Sequence, residues 1–336
     1  MAKIISRRKF GESVMPSRAK TLAWTLLFCA ALGMVGFSRS QGALAANAPG
    51  KHDNTDHLRS YRKAIPLVDW TPAELVKRMP ELRDFTPADS QETLPQILEE
   101  VGANVQSFVR NFMSTASVEE VHQLRMGFNG GESFTPLRTH YLLLGVKGNG
   151  GVQLQEYRTN SKGNPTILGA GAGRGLLTHG FASVSVYFDP VHQALSTFRY
   201  LGQKAVDDHK FLLVAFAQRV DSRGILARFD IEGYSIPVLV QGVAWIDPHI
   251  FQIERLRTDL LAPQSAYDLD QLTTDVTYNE VHFKGAPRSM WLPHDVSVTV
   301  KYQNETYHNE HRYSDFRLFN VQAESKKPDR PASEAR

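Results

Sequence analysis

Residues 241–261 read QGVAWIDPHIFQIERLRTDLL, two strand-like runs folded over Asp247-Pro248. Asp and Pro are turn formers, and apolar residues alternate on both sides, so the stretch predicts an antiparallel hairpin. A three-residue turn at Asp247-Pro248-His249 pairs Ile246 with Ile250. It sets Trp245 opposite Phe251, Val243 opposite Ile253, Gln241 opposite Arg255 and Leu239 opposite Arg257. A shift by one residue would separate the aromatics, so hydrophobic pairing favours this register. One face of the hairpin then runs from apolar to cationic.

Segments of the same kind lie on both sides. Runs 141–147 and 152–158 flank Gly148-Asn149-Gly150-Gly151, a turn whose residues tolerate positive φ. Runs 182–188, 198–203 and 211–218 are further strand candidates, and 212–217 is nearly all apolar, as in a strand covered on both faces. After the hairpin come 274–283, 295–302 and 306–321. Val296, Val298, Val300 and Tyr302 alternate there with Asp295, Ser297, Thr299 and Lys301.

Before these strands two helices are predicted. Thr71-Pro72-Ala73-Glu74 is a capping box with Pro at the first helical position. In 94–112, Leu94, Ile97, Leu98, Val101, Val105, Phe108 and Phe112 recur at three and four residues and make one apolar face. No βαβ alternation appears. The predicted class is mainly β (α+β): a large curved antiparallel sheet, an open half-barrel, with N-terminal helices packed on its concave face. One domain spans 67–321. Residues 46–66 read as a flexible leader and 322–336, charged and Pro-bearing, as a disordered tail.

The first 45 residues are of another character. Seventeen uncharged residues, TLAWTLLFCAALGMVGF at 21–37, follow a basic segment and precede Ala43-Leu44-Ala45, a small-x-small cleavage site. This is the pattern of a secretory signal peptide, with an uncleaved anchor as the competing reading. SRRKF at 6–10 resembles a twin-arginine signature, yet Met15 opens a complete general-secretory signal by itself. The expected location is periplasmic or secreted. The chain carries 38 basic and 35 acidic residues; without the seven basic and one acidic residue of 1–45, 31 and 34 remain, a net charge of −3. That balance does not favour nucleic acid. The one cysteine, Cys29, lies in the apolar run, so the segment after it has neither disulfide nor thiolate.

The segments QGVAWIDPHIFQIERLRTDLLAP (241–263), VTYNEVHF (276–283), MWLPHDVSVTV (290–300) and HNEHRYSDFRLFNV (308–321) resemble a family of uncharacterised exported bacterial proteins. GFASVSVYFDP (180–190) and TFRYLG (197–202) fit the same resemblance. The order of signal, amphipathic helix and successive strands, with a G-x-x-W-I-D hairpin, is similar to the lipoprotein-localisation (LolA-like) carriers. That likeness implies an open half-barrel lidded by helices over an acyl-chain-binding cavity. Residues 162–235 are extra relative to such carriers.

Chemistry is sparse. There is no G-x-S-x-G, and adjacent acids such as Glu119-Glu120 diverge on regular structure. His308 and His311 would share a helix face but point to opposite sides of a strand, so no shared metal is expected. GAGAGRG at 169–175 misses both glycine-rich phosphate-loop spacings. The candidate ligand contacts are therefore Trp245, Phe251, Ile253, Gln241, Arg255 and Arg257, with acyl chains near the tryptophan and an anionic head at the arginines. The candidate lid is the apolar helix face Leu94, Ile97, Leu98, Val101, Val105 and Phe108. The competing reading makes the aromatics core and pairs the arginines with Asp259, Glu254 or solvent. The expected function is a non-enzymatic binding or carrier protein for a lipid or lipoprotein, monomeric and without cofactor or metal. The alternative is a structural or protein-interaction module of the bacterial envelope with a filled core.

Overall fold

The alternating segments pair into one antiparallel sheet of twelve strands in the computed structural model, which describes residues 54–111, 115–128, 130–148, 151–164, 181–222, 226–231, 234–284 and 289–318. All belong to the unit 51–336. The signal segment, Phe112, the GAGAGRG stretch and the tail lie outside the described residues.

The chain opens with helices α1 (Asn54–Lys63) and α2 (Pro72–Arg78), a short strand β1 (Thr86–Pro87) and helix α3 (Leu94–Asn111). Then come β2 (Thr115–Gly127), β3 (Gly130–Ser133), β4 (Leu137–Gly148) and β5 (Gly151–Thr159). A 3₁₀ helix (Phe181–Phe188) precedes β6 (Ser196–Val206), β7 (His209–Gln218), β8 (Ala227–Ile231) and β9 (Tyr234–Val238). The last five strands are β10 (Val240–Ile246), β11 (Ile253–Leu260), β12 (Leu269–Val281), β13 (Met290–Tyr302) and β14 (Glu305–Leu318). The order across the sheet is β1-β6-β7-β10-β11-β12-β13-β14-β2-β4-β5, with β3 beside β2 and β8-β9 as a separate hairpin. The final strand β14 thus returns beside β2, the first long one. The sheet is open, with β1 and β5 at its ends.

The helices divide between the two faces. Ile97, Val101 and Val105 of α3 join a large core with Leu212, Val214 and Phe216 of β7, Ala244 and Ile246 of β10, and Val296, Val298 and Val300 of β13. The opposite face of β6, β7 and β10 is covered by the segment before α3. Tyr61, Leu67, Leu75, Met79 and Leu82 pack there on Leu213, Ala215, Val243 and Trp245. Only the second predicted helix therefore lies on the main core. The first, α2, forms as its capping box requires, with Thr71 Oγ1 accepting from Glu74 N–H, and docks on the other side.

Two further expectations change. Run 182–188 is not a strand: it lies within the 3₁₀ helix, whose Tyr187 and Phe188 are buried against Phe198 and Phe216. Among its described side chains the buried ones are the consecutive Tyr187 and Phe188, with Asp189 next, rather than every second one, so the alternation of apolar residues did not mark a strand face. The supposed leader 46–66 carries α1. Tyr61 is buried in the second core, and its hydroxyl oxygen accepts the Leu239 N–H at 3.1 Å. In NTDHLRSYRK only Leu58 and Tyr61 are apolar, three residues apart, too few to mark an amphipathic face.

Candidate functional site

The 241–261 hairpin forms, in a different register. Ile246 pairs with Ile253, Trp245 with Arg255, Val243 with Arg257 and Gln241 with Asp259. The turn spans 247–252 because Asp247 organises it. Its Oδ1 accepts the N–H groups of His249 (2.7 Å) and Ile250 (2.9 Å), its N–H donates to Gln252 O, and its carbonyl accepts Phe251 N–H. Phe251 closes the loop with φ of 52°. Local carboxylate-to-backbone bonding thus outweighs the pairing of aromatics. Pairing shifts between Trp245 and Ile246, leaving Glu254 as the extra residue of a bulge.

The new register splits the six predicted contacts. Ile253 and Phe251 join the core under α3. Trp245 belongs to the opposite face, buried under the α1–α2 segment. Arg255 lies over the Trp245 ring, 4.5 Å from its centroid, and donates to Asp275 through Nε at 2.9 Å and Nη2 at 2.6 Å. Arg257 bonds Glu81 through Nη1 and Asp259 through Nε at 3.0 Å, and Asp259 also accepts from Thr273 Oγ1 at 2.6 Å. Gln241 is buried. Its Oε1 accepts the Leu67 N–H at 2.6 Å, tying the segment after α1 to the sheet. Trp245, Arg257 and Gln241 fasten the N-terminal segment to β10 and β11, while Arg255 ties β11 to β12.

The α3 face keeps the predicted lid residues together. Ile97, Val101 and Val105 are buried, while Leu94, Leu98 and Phe108 pack on the same core and stay partly exposed. Asn104 Nδ2 donates to the carbonyls of Ile250 (2.8 Å) and Phe251 (3.0 Å), so α3 rests on the hairpin turn. The predicted lid and the predicted arginines are on opposite sides of the sheet.

On the α3 face, at the β5 end, lies a group that spacing did not reveal. Glu119 of β2 is fully buried and accepts five hydrogen bonds. Arg158 donates from Nε (2.5 Å) and Nη2 (2.7 Å), Thr139 Oγ1 at 3.0 Å, Tyr313 Oη at 2.9 Å and His311 Nδ1 at 2.9 Å. Arg158 also lies over Tyr141, 5.4 Å from its centroid, and Tyr141 meets Tyr313 edge-on at 5.0 Å. Burial alone would raise the Glu119 carboxyl; the His311 and Arg158 hydrogen bonds and the Arg158 charge outweigh it and hold the pKa at about 2. Burial lowers the His311 imidazole, against the raising influence of Glu119. Glu120 and His308 point the other way and are not part of the cluster. With its partners supplied by β4, β5 and β14, the carboxylate is saturated and braces these strands.

A cavity of about 220 Å³ lies between α1 and β7 and is lined by Tyr61, Val68, Thr197, Gln218, Arg219 and Leu261 among others. It is on the side away from α3.

No family model and no curated protein matches the chain. Among solved structures it is similar to a Vibrio parahaemolyticus domain described as an outer membrane lipoprotein-sorting protein, at 11% identity over 68% of this chain and 94% of that one, with a TM-score of 0.37. It is also similar to a DUF1329 family protein from Desulfovibrio piger, at 11% identity over 67% and 92%, TM-score 0.34. The Mycobacterium tuberculosis lipoprotein LppX is similar at 11% identity over 68% and 99%, TM-score 0.25. Likenesses this distant transfer no side chain, and the chemistry rests on this chain's own residues.

Proposed function

We propose that the chain is an exported, periplasmic binding or carrier protein for an amphipathic ligand, an acyl-bearing lipid or lipoprotein, held on the α3 face without covalent chemistry. The observation that carries this reading is the apolar margin of that face. Leu94, Leu98 and Phe108 of α3, with Phe251, Trp291 and Tyr307, pack on the buried core yet remain partly exposed. An acyl chain laid along them gains about 0.8 kcal/mol for each methylene removed from water. Helix α3 is seated on the hairpin turn through Asn104 and on Gln193 through the Leu98 carbonyl. Export is supported by the sequence of 1–45. Among the described residues no helix is long and apolar enough to cross a membrane.

The test is native mass spectrometry of the full chain produced in a bacterial periplasm, followed by lipid extraction. Adducts of acyl-lipid mass are expected, lost when Leu98 and Phe108 are replaced together by Gln. A clean unliganded mass, with no uptake from phospholipid vesicles or of a lipopeptide, would overturn the reading. One observation favours the envelope-interaction alternative: among the described residues β5 is the last strand of the sheet, a position at which a partner strand can add. A clean mass together with a co-purifying protein would point there.

A further inference from the structure

We propose that His209, Asp247 and Glu254 form a binding site for a divalent transition-metal ion of the zinc class. The three come from different places: His209 begins β7, Asp247 opens the hairpin turn, and Glu254 is the bulge residue of β11. Among the described residues they are the one group of His and carboxylate side chains whose ligand atoms all lie within 4.8 Å of one another. His209 Nε2 is 3.2 Å from Asp247 Oδ2 and 3.5 Å from Glu254 Oε1. A tetrahedral ion with bonds of about 2.0–2.1 Å sets its ligand atoms about 3.3 Å apart, between those two separations.

The contacts are not those of a hydrogen-bonded pair. His209 Nε2 is shut off from solvent and makes no hydrogen bond within the described residues, although two carboxylate oxygens face it. A ring nitrogen aimed between two anions, off the line of either, suits a cation between all three. The ligands are also held in place. Asp247 Oδ1 is engaged by the N–H groups of His249 and Ile250, which turns Oδ2 toward His209. The His209 ring meets Phe211 edge-on at 4.5 Å. The His209 side chain is 44% exposed and that of Glu254 23%, so the group lies near the surface with only the coordinating nitrogen covered. An imidazole among the ligands favours a transition metal over Mg²⁺ or Ca²⁺, and three protein ligands leave a position for water. The ion would stitch β7 to the turn on which Asn104 seats α3. The competing reading is a partly exposed contact of His209 with two carboxylates, worth little; it binds no metal.

The full chain, free of any affinity tag and stripped with a chelator, is titrated with zinc chloride at pH 7 by calorimetry, with thermal unfolding in parallel. One ion per chain is expected, with a rise in Tm on zinc addition. His209→Ala and Glu254→Gln should each weaken binding by at least about tenfold and abolish that rise. Glu254→Gln keeps shape, and its circular dichroism confirms folding, so a loss there reports the ligand itself. No binding, or binding unchanged in both variants, would overturn the site. So would tighter binding of Ca²⁺ or Mg²⁺ than of Zn²⁺. None of these readouts depends on lipid.

Discussion

His311 Nδ1 and Glu119 Oε1 lie 2.9 Å apart, and neither side chain is exposed. The pair joins β14 to β2, strands that begin almost 200 residues apart in the chain, and it sets how the protein responds to acid. Glu119 titrates at about 2 in the fold against an ordinary 4.5. A lowered carboxyl contributes stability above the unfolded value and loses it as pH falls through the folded one, here from about 4.5 down to 2. The span corresponds to about 3 kcal/mol. Burial lowers His311 as well, so the folded chain resists a proton that the unfolded chain accepts below about 6.5. Both groups therefore weaken the fold in acid. Urea midpoints should fall steadily as pH is lowered from 7 to 2, and Glu119→Gln should flatten the part below 4.5. At pH 7 that variant should cost about 3–5 kcal/mol, because the buried Arg158 loses the carboxylate that takes its Nε and Nη2 hydrogens. Parallel pH profiles for wild type and variant would refute this.

Arg255 and Arg257 should act on stability and not on ligand. Arg255 is taken up by Asp275 and the Trp245 ring, Arg257 by Glu81 and Asp259. Replacing both by Ala should lower stability by about 1–3 kcal/mol, since partly exposed pairs contribute little and the stacking adds about 1. Lipid adducts, if carried on the α3 face, should survive. Lipid lost from a variant that remains folded would move the site to the arginine face.

The sheet was legible in the sequence because its strands alternate. Val296, Val298 and Val300 face the core and Ser297, Thr299 and Lys301 the other way, as period two requires. Helix α3 was legible through its continuous stripe. The faces were not. Whether α2 or α3 covers a given side depends on distant residues such as Leu75, Met79 and Trp245 sharing one core, which no local period encodes. The hairpin register failed for a local reason, the bonds of one Asp247 oxygen to two backbone N–H groups. The Glu119 cluster was hidden because its members sit on four strands. The phase of β2 that holds Glu119, made of Thr115, Ser117, Glu119, Val121 and Gln123, is mostly polar although it is the buried one, so no alternation marked it.

Gly202 should tolerate no side chain. It has φ of +128° opposite Pro87, and an added Cβ would stand 2.0 Å from Thr86 O and 2.7 Å from Ala88 N. Backbone on both counts cannot move aside as a flexible side chain would. Gly202→Ala should release β1 from β6 and cost several kcal/mol, on the order of 3 or more. Hydrogen exchange would show it as lost protection at Ala88 N–H, which donates to Leu201 O at 2.8 Å. Protection equal to wild type would mean that the strap follows another path.

Gln241 offers a cleaner separation of structure from binding. Sequence placed it beside the arginines as a ligand contact, yet its Oε1 accepts the buried Leu67 N–H and its Nε2 approaches Leu260 O at 3.4 Å. Gln241→Leu keeps the volume and removes the acceptor, so the Leu67 N–H stays desolvated without a partner, at a cost of about 1–3 kcal/mol. Gln241→Glu restores the acceptor, and as a buried carboxylate bonded to one N–H it should regain only part of that stability. A binding role would reverse the pattern: lipid uptake would follow the side chain's chemistry while the unfolding midpoint stayed fixed. Equilibrium unfolding and lipid mass measured on the same preparations of both variants distinguish the two. A midpoint unchanged in Gln241→Leu would refute the tether.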